Sequence, residues 1–236
     1  MNTNRKTAVI VGILFIIATA FLFIGEAFYN PILSSPDYLD NAYSNRLIVT
    51  IGILLEFACV IAIPLIPVFL FPILKVHNEA LALGYVGFRF LEAVLFVDVE
   101  INKLSLINVS QGYLNNGGVD ASYFQNLGSS IQAEILWSFS IYVLVFAIGS
   151  LMFNAVLYKS KLVPRFLSAW GFIGAAIILI GTALVMLEMS AGIPEAILFL
   201  PIAGQEMVFA VWLIVKGFNL DAIVLPTVPR GASSLI

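Results

Sequence analysis

The 236-residue chain is 61% hydrophobic and 11% charged, and its formal net charge is −3. Soluble domains average roughly 45 to 50% apolar and about 25% charged residues, so this composition excludes an ordinary soluble fold. Several apolar runs reach the length of about 20 residues that a helix needs to cross a bilayer, and the alternation typical of transmembrane barrel strands is missing. The composition therefore predicts an all-α, polytopic transmembrane helical bundle whose surroundings are the lipid bilayer.

The same counts exclude several kinds of site. No Lys and Arg cluster is dense enough to form a nucleic-acid surface, so nucleic acid is not an expected partner. The single cysteine, Cys59, and the single histidine, His77, exclude an intrachain disulfide, the usual zinc ligand sets and bis-histidine haem ligation. We therefore predict no cofactor, and a metal ion could be held only by carboxylates.

Six membrane helices are predicted within one domain, residues 1–218. Their approximate ranges are 7–28, 47–74, 80–108, 131–157, 166–188 and 196–216. The stretches 29–45 and 109–130 are polar, lack Lys and Arg, and are predicted to be external loops, the second with room for a short surface helix over residues 121–127. The tail, residues 219–236, is predicted to be disordered and cytoplasmic.

Two helices carry further local signals. Pro64, Pro67 and Pro72 predict that the second helix bends or frays near Pro64, because proline removes a helix donor. The first helix has an alternative interpretation as a cleaved signal peptide, since small residues at 18–20 could form a cleavage site. The apolar run continues past that site, which favours a membrane helix.

The basic residues lie mainly on one side of the predicted bundle. The positive-inside rule then places both termini in the cytoplasm after six crossings. The basic residues on that side are Arg5, Lys6, Lys75, Lys159, Lys161, Arg165, Lys216 and Arg230.

Ionisable residues on three helices fall at a similar depth. If each crossing takes about 20 residues, Glu56, Arg89, Glu92 and Glu206 all lie near the midplane. Each would cost about 2.5 to 3.5 kcal/mol there without a partner, so we predict that they meet one another or water. These four residues are the predicted binding or proton-linked site.

The third helix shows how the charges are arranged. At 100° per residue, one stripe predicted to face the bundle interior contains Tyr85, Arg89, Glu92, Phe96, Glu100 and Lys103. Arg89 and Glu92 are three residues apart, as are Glu100 and Lys103, so each pair can interact along the helix. Depth counting places the second pair near water, where an exposed ion pair contributes little.

Three carboxylates and one arginine cannot all be ionised cheaply in a dry core. At least one of them, Glu56 or Glu206, is therefore expected to be protonated or to face a water-filled cavity. Three interpretations stay open at this point. The cluster could lock the helices in a structural or accessory protein, it could hold a proton or cation-linked solute in a transporter-like or ligand-binding protein, or it could serve catalysis. No nucleophile and base pair is visible, so no catalytic residue is assigned and an enzyme is the less favoured reading.

A second, outer acidic cluster is predicted from Glu26, Glu100 and Glu188 at the external ends of their helices. The helix dipole disfavours acids at C-terminal ends, where Glu26 and Glu188 lie. Those two are the better candidates there for a contact with a cation or a partner.

Two motifs carry a family resemblance. FRFLEA at 88–93 and QEMVFAVWLIVKGFN at 205–219, with RKTAVIVGILFII near the start and PRFLSAWG before the fifth helix, resemble the membrane family called domain of unknown function 4386. On that match the family pattern falls on Arg89, Glu92, Glu206, Trp212, Lys216 and Gly217. The resemblance implies a bacterial inner (plasma) membrane protein with six helices and implies no activity. Ligand, protein partners and oligomeric state stay open.

Overall fold

The computed structural model describes residues 3–117, 120–189 and 195–223. Its helices are α1 Thr3–Leu33, α2 Tyr38–Asn41, α3 Arg46–Leu74, α4 Glu79–Asn115, α5 Ala121–Ser160, α6 Arg165–Met186, α7 Glu195–Val215 and α8 Leu220–Ile223. Six of these are long and apolar enough to cross a membrane, whereas α2 and α8 have four residues each. The all-α, multi-pass architecture predicted from the sequence is confirmed.

The six long helices form a ring around a central space. Each long helix packs on the next one along the chain, and α7 returns to pack on α1. Glycines permit the closest approaches, because a Cβ on Gly25 of α1 would lie 2.6 Å from the carbonyl oxygen of Gly52 on α3. On α6, a Cβ on Gly174 would lie 3.2 Å from the backbone of Ile202 on α7. Such contacts bring backbones together as small residues do in membrane helices generally.

The two ends of this ring differ. The basic end is formed by the start of α1, the turns 75–78 and 161–164, and the end of α7. There the Arg5 guanidinium donates to the carbonyl oxygen of Leu213 at 2.9 Å and also to that of Ile214. A cation at a helix C-terminus satisfies free carbonyls and complements the helix dipole, so Arg5 fastens α1 to α7. The opposite end, called the α2 end, carries α2 and the α4–α5 connection.

The α2 end departs most from the sequence prediction. Residues 109–130 were expected to form a loop, but α4 continues to Asn115 and α5 begins at Ala121. The two extensions pack on each other through Tyr113 and Phe124, whose ring centroids are 6.2 Å apart. This polar stretch also contains apolar residues, and they form the contact. α2 packs over them in a buried cluster that includes Leu106, Ile107 and Val109 of α4 and Tyr38 and Leu39 of α2.

Smaller differences concern prolines and the tail. α3 stays helical through Pro64, Pro67 and Pro72, so the expected fraying near Pro64 does not occur. Neighbouring helices can stabilise a proline-containing membrane helix, and Ile63, Ile66 and Leu70 of α3 are buried against them. In the tail, Leu220–Ile223 forms a helical turn instead of the expected disorder. Residues 224–236 lie outside the described part.

Candidate functional site

A cavity of about 600 Å³ lies inside the helix ring. It is lined by α1, α3, α4, α5 and α7, and on α1 its wall runs from Ala18 to Ser34. That stretch corresponds to about 24 Å along a helix. Asn30 and Ser34 are exposed at the α2 end, so the cavity reaches the protein surface there.

Aromatic side chains close the cavity toward the basic end. Phe209 of α7 contacts Phe15 of α1 and Phe153 of α5, with ring centroids 5.3 Å and 5.6 Å apart, and Tyr85 of α4 stacks on Phe153 at 4.7 Å. A second space beside these rings measures only about 10 Å³, roughly what a single water molecule needs. The main cavity therefore reaches the surface at the α2 end and is closed toward the basic end.

The first charged group is the Lys103 cluster, made of Tyr29, Glu56, Glu100 and Lys103, of which all but Glu100 line the cavity. The Lys103 ammonium lies 2.5 Å from Glu56 Oε2 and 2.8 Å from Glu100 Oε1. It also donates to the Tyr29 hydroxyl at 2.8 Å, and that hydroxyl donates to Glu56 Oε1 at 2.8 Å. Three helices, α1, α3 and α4, are joined by this network.

The second charged group is the Arg89 group, made of Arg89, Glu92 and Glu206. Arg89 Nη1 donates to both carboxylate oxygens of Glu92, at 3.1 Å and 3.0 Å. The guanidinium carbon lies 5.6 Å from the centre of the Phe146 ring, within the range of a cation–π interaction. Glu206 lies on α7 and lines the same cavity as Arg89 and Glu92.

Among the described residues, Glu206 differs from Glu56, Glu92 and Glu100 because it forms no ion pair. Its Oε2 accepts one hydrogen bond, from the Thr19 hydroxyl at 3.2 Å, and within the described residues no Lys, Arg or His nitrogen lies within 4.0 Å of it. It is also less enclosed than Glu56 and Glu92, whose side chains are fully buried. A carboxylate that faces a cavity and forms no close ion pair with a described residue is suited to bind a proton or a cation.

The two clusters together carry an excess of acid. They contain four carboxylates, at Glu56, Glu92, Glu100 and Glu206, but two cations, at Arg89 and Lys103. Arg89 matches Glu92, and Lys103 lies between two carboxylates. Charge balance therefore needs one further positive charge in the Lys103 cluster and one at Glu206.

The structure confirms the interior stripe of α4. Its six predicted members, Tyr85, Arg89, Glu92, Phe96, Glu100 and Lys103, are all buried, and Asp98 on the other face is exposed. Both predicted pairs form, Arg89 with Glu92 and Glu100 with Lys103.

The predicted exposure of Glu100 and Lys103 is wrong. They were expected near water, but each is only 5% exposed. α4 continues for 12 residues beyond Lys103, and α2 and α5 cover this extension. The interior therefore reaches further toward the α2 end than a helix ending at residue 108 would allow.

The partner expected for Glu56 also differs. The sequence placed Glu56 with Arg89, Glu92 and Glu206, whereas its ion pair is with Lys103. All four predicted residues nevertheless line the one cavity. The predicted single cluster is thus two clusters along the same wall.

The three residues of the predicted outer acidic cluster lie in different surroundings. Glu100 is buried beside Lys103, and Glu26 lies on the exposed part of α1 that lines the cavity near its mouth. Glu188 follows the end of α6, is exposed, and is absent from the cavity wall. Only Glu26 is placed where it could meet a solute entering the cavity.

Sequence reasoning missed the roles of Thr19 and Tyr29. Thr19 was read only as part of a possible cleavage site, and Tyr29 as the first residue of a loop, although α1 continues to Leu33. The sequence around Tyr29 does not indicate that its hydroxyl binds Glu56 and Lys103. For Lys103 the signal was present, since the interior stripe contains it.

Comparison with known protein families identifies the family of this chain. The family model described as Domain of unknown function (DUF4386) matches residues 10–217. The chain belongs to this family. The matched DUF4386 region contains every residue of the Lys103 cluster and the Arg89 group, so both lie in the family domain. No curated protein and no solved structure matches the chain.

Proposed function

We propose that this DUF4386 protein is a transporter-like or solute-binding protein whose cavity holds a proton or a cation-linked solute. Glu206 carries the proposal, because it is a carboxylate without an ion-pair partner among the described residues and it lines a large cavity with one open end. Ionisable groups inside a membrane bundle are costly, and they commonly mark ion or substrate pathways.

The direction of opening follows from the proposed orientation. The positive-inside rule assigns the basic end to the cytoplasm, with both termini there, in an inner (plasma) membrane. The cavity then opens to the external face, and the rings of Phe15, Tyr85, Phe153 and Phe209 close it from the cytoplasm. This is the arrangement of an outward-open state in alternating access.

Proton flux into liposomes tests this function. We expect reconstituted wild-type protein to carry protons inward under an imposed potential, and Glu206→Gln to lose that flux. Glu134→Gln is the matched control, since Glu134 is an exposed acid on α5 that does not line the cavity. Identical traces for wild type, Glu206→Gln and Glu56→Gln across a range of pH would contradict the proposal.

The internal pairing of the other charges favours a second candidate, a structural or accessory membrane protein. Arg89 pairs with Glu92, and Lys103 pairs with both Glu56 and Glu100, so each of these residues has an ion-pair partner inside the bundle. In that case the charges serve assembly only, and removing the charge of Glu206 would change neither proton flux nor ligand binding.

A further inference from the structure

The size of the cavity indicates what kind of solute it holds. Pockets for small organic ligands measure about 300 to 1,000 Å³, and this one measures about 600 Å³. A proton or a bare metal ion needs far less space. Among the described residues, no three His, Cys, Asp or Glu side chains group closely enough to hold a metal ion. The dimensions and the scarcity of ligating groups both favour an organic molecule.

One wall of the cavity is a continuous row of aromatic rings. Phe96 of α4 stacks on Tyr142 of α5 at 5.0 Å between centroids, Tyr142 contacts Phe139 at 5.4 Å, and Phe139 contacts Phe199 of α7 at 6.0 Å. All four rings line the cavity. Such a wall binds the apolar body of a ligand, and the faces of aromatic rings attract cations.

Two cationic side chains of the protein already lie against aromatic rings of this cavity. The Lys103 ammonium lies 4.1 Å from the centre of the Tyr29 ring and 5.9 Å from that of Phe96. The Arg89 guanidinium lies 5.6 Å from the Phe146 ring centre. The walls therefore accept positive charge, and both resident cations are matched by carboxylates. Glu206, which forms no ion pair with any described residue, is placed to match a charge brought by the solute.

We infer that the cavity binds an amphiphilic organic monocation, such as an amine or quaternary ammonium with an aromatic or alkyl body. The positive group lies against Glu206, and the body lies along the row Phe96, Tyr142, Phe139 and Phe199. Glu26 at the mouth adds negative charge on the entry path. This inference rests on the proposed function and specifies its solute class.

Two ions of nearly the same shape and opposite charge test the inference. Binding of radiolabelled tetraphenylphosphonium and of tetraphenylborate to the purified full-length protein in detergent is measured by equilibrium dialysis. We expect saturable binding of the phosphonium and none of the borate. Absence of saturable phosphonium binding, or equal binding of both ions, would overturn the inference.

Variants locate the bound cation. Glu206→Gln should weaken phosphonium binding by roughly tenfold or more, which corresponds to the loss of one close charge contact, and Glu134→Gln should leave it unchanged. Glu206→Asp keeps the charge and should lose less, and Phe139→Leu should weaken binding several-fold by removing one ring. Size-exclusion profiles check that each variant is folded. Wild-type affinity in both Glu206→Gln and Phe139→Leu would overturn the inference.

The outcome separates this inference from the proposed function. If tetraphenylphosphonium does not bind but proton flux still depends on Glu206, the proton-linked function stands and the solute class is wrong. If neither phosphonium binding nor proton flux depends on Glu206, both are wrong.

Discussion

Lys103 of α4 forms a buried ion pair with Glu56 of α3, with 2.5 Å between Nζ and Oε2. Arg89 pairs with Glu92, three residues further along its own helix. On a third helix, Glu206 of α7 faces the cavity without an ion-pair partner among the described residues.

Removing Lys103 should destabilise the protein strongly. Lys103→Met would leave Glu56 and Glu100 buried without their cation, and breaking a buried ion pair from one side costs about 3 to 5 kcal/mol. Thermal unfolding in detergent should show a clear fall in the melting temperature. Lys159→Met is the matched control, since Lys159 is exposed at the end of α5 and should give no measurable change. Equal melting temperatures for the two variants would contradict the structural importance of the Lys103 cluster.

The Arg89–Glu92 pair allows a double-mutant cycle. Arg89→Leu or Glu92→Leu alone leaves one buried charge and should be strongly destabilising, whereas the double variant removes both charges and should recover most of the lost stability. Thermal unfolding of the four proteins measures this coupling. If the double variant is as unstable as the sum of the single variants, Arg89 and Glu92 are not acting as an isolated pair.

The packing of α1 on α3 predicts a glycine effect. An added Cβ at Gly25 would lie 2.6 Å from both the Gly52 carbonyl oxygen and the Glu56 side chain, so Gly25→Ala should cost about 1 to 3 kcal/mol of stability. At Gly87 nothing lies within 4 Å of an added Cβ. Gly87→Ala should therefore be neutral or slightly stabilising through its better helix propensity. Similar melting temperatures for the two variants would show that α1 and α3 can move apart without cost.

Much of this arrangement could be predicted from the sequence, for physical reasons that also explain the errors. Helical periodicity depends only on local geometry, so the interior stripe of α4 and the pairs three residues apart were predicted correctly. Depth depends on where a helix ends. The polar residues after 108 hid the continuation of α4 to Asn115, and Lys103 was therefore placed near water.

Pairing between helices is harder to predict than pairing within one helix. Glu56 could reach either Arg89 or Lys103 by depth alone, and the choice depends on the rotation of α3 and on Tyr29 of α1, which binds both Glu56 and Lys103. Gln205 and Glu206 illustrate the same point. Gln205 donates to the Leu167 carbonyl oxygen of α6, whereas its neighbour Glu206 faces the cavity. No sequence pattern indicates which of these two adjacent polar residues faces the cavity.

The access of a solute from the α2 end to Glu206 is tested most directly by cysteine labelling at Ala203. Ala203 lines the cavity three residues before Glu206 on α7, so the two share a helix face. In a Cys59→Ala background, a membrane-impermeant cationic thiosulfonate is added to one side of oriented vesicles containing Ala203→Cys. Ser34→Cys at the mouth and Lys159→Cys at the basic end mark the two sides.

We expect Ala203→Cys to react from the side that labels Ser34→Cys and not from the side that labels Lys159→Cys. Tetraphenylphosphonium should slow the reaction. Labelling only from the side of Lys159→Cys, or no labelling from either side, would contradict a cavity that leads from the α2 end to Glu206.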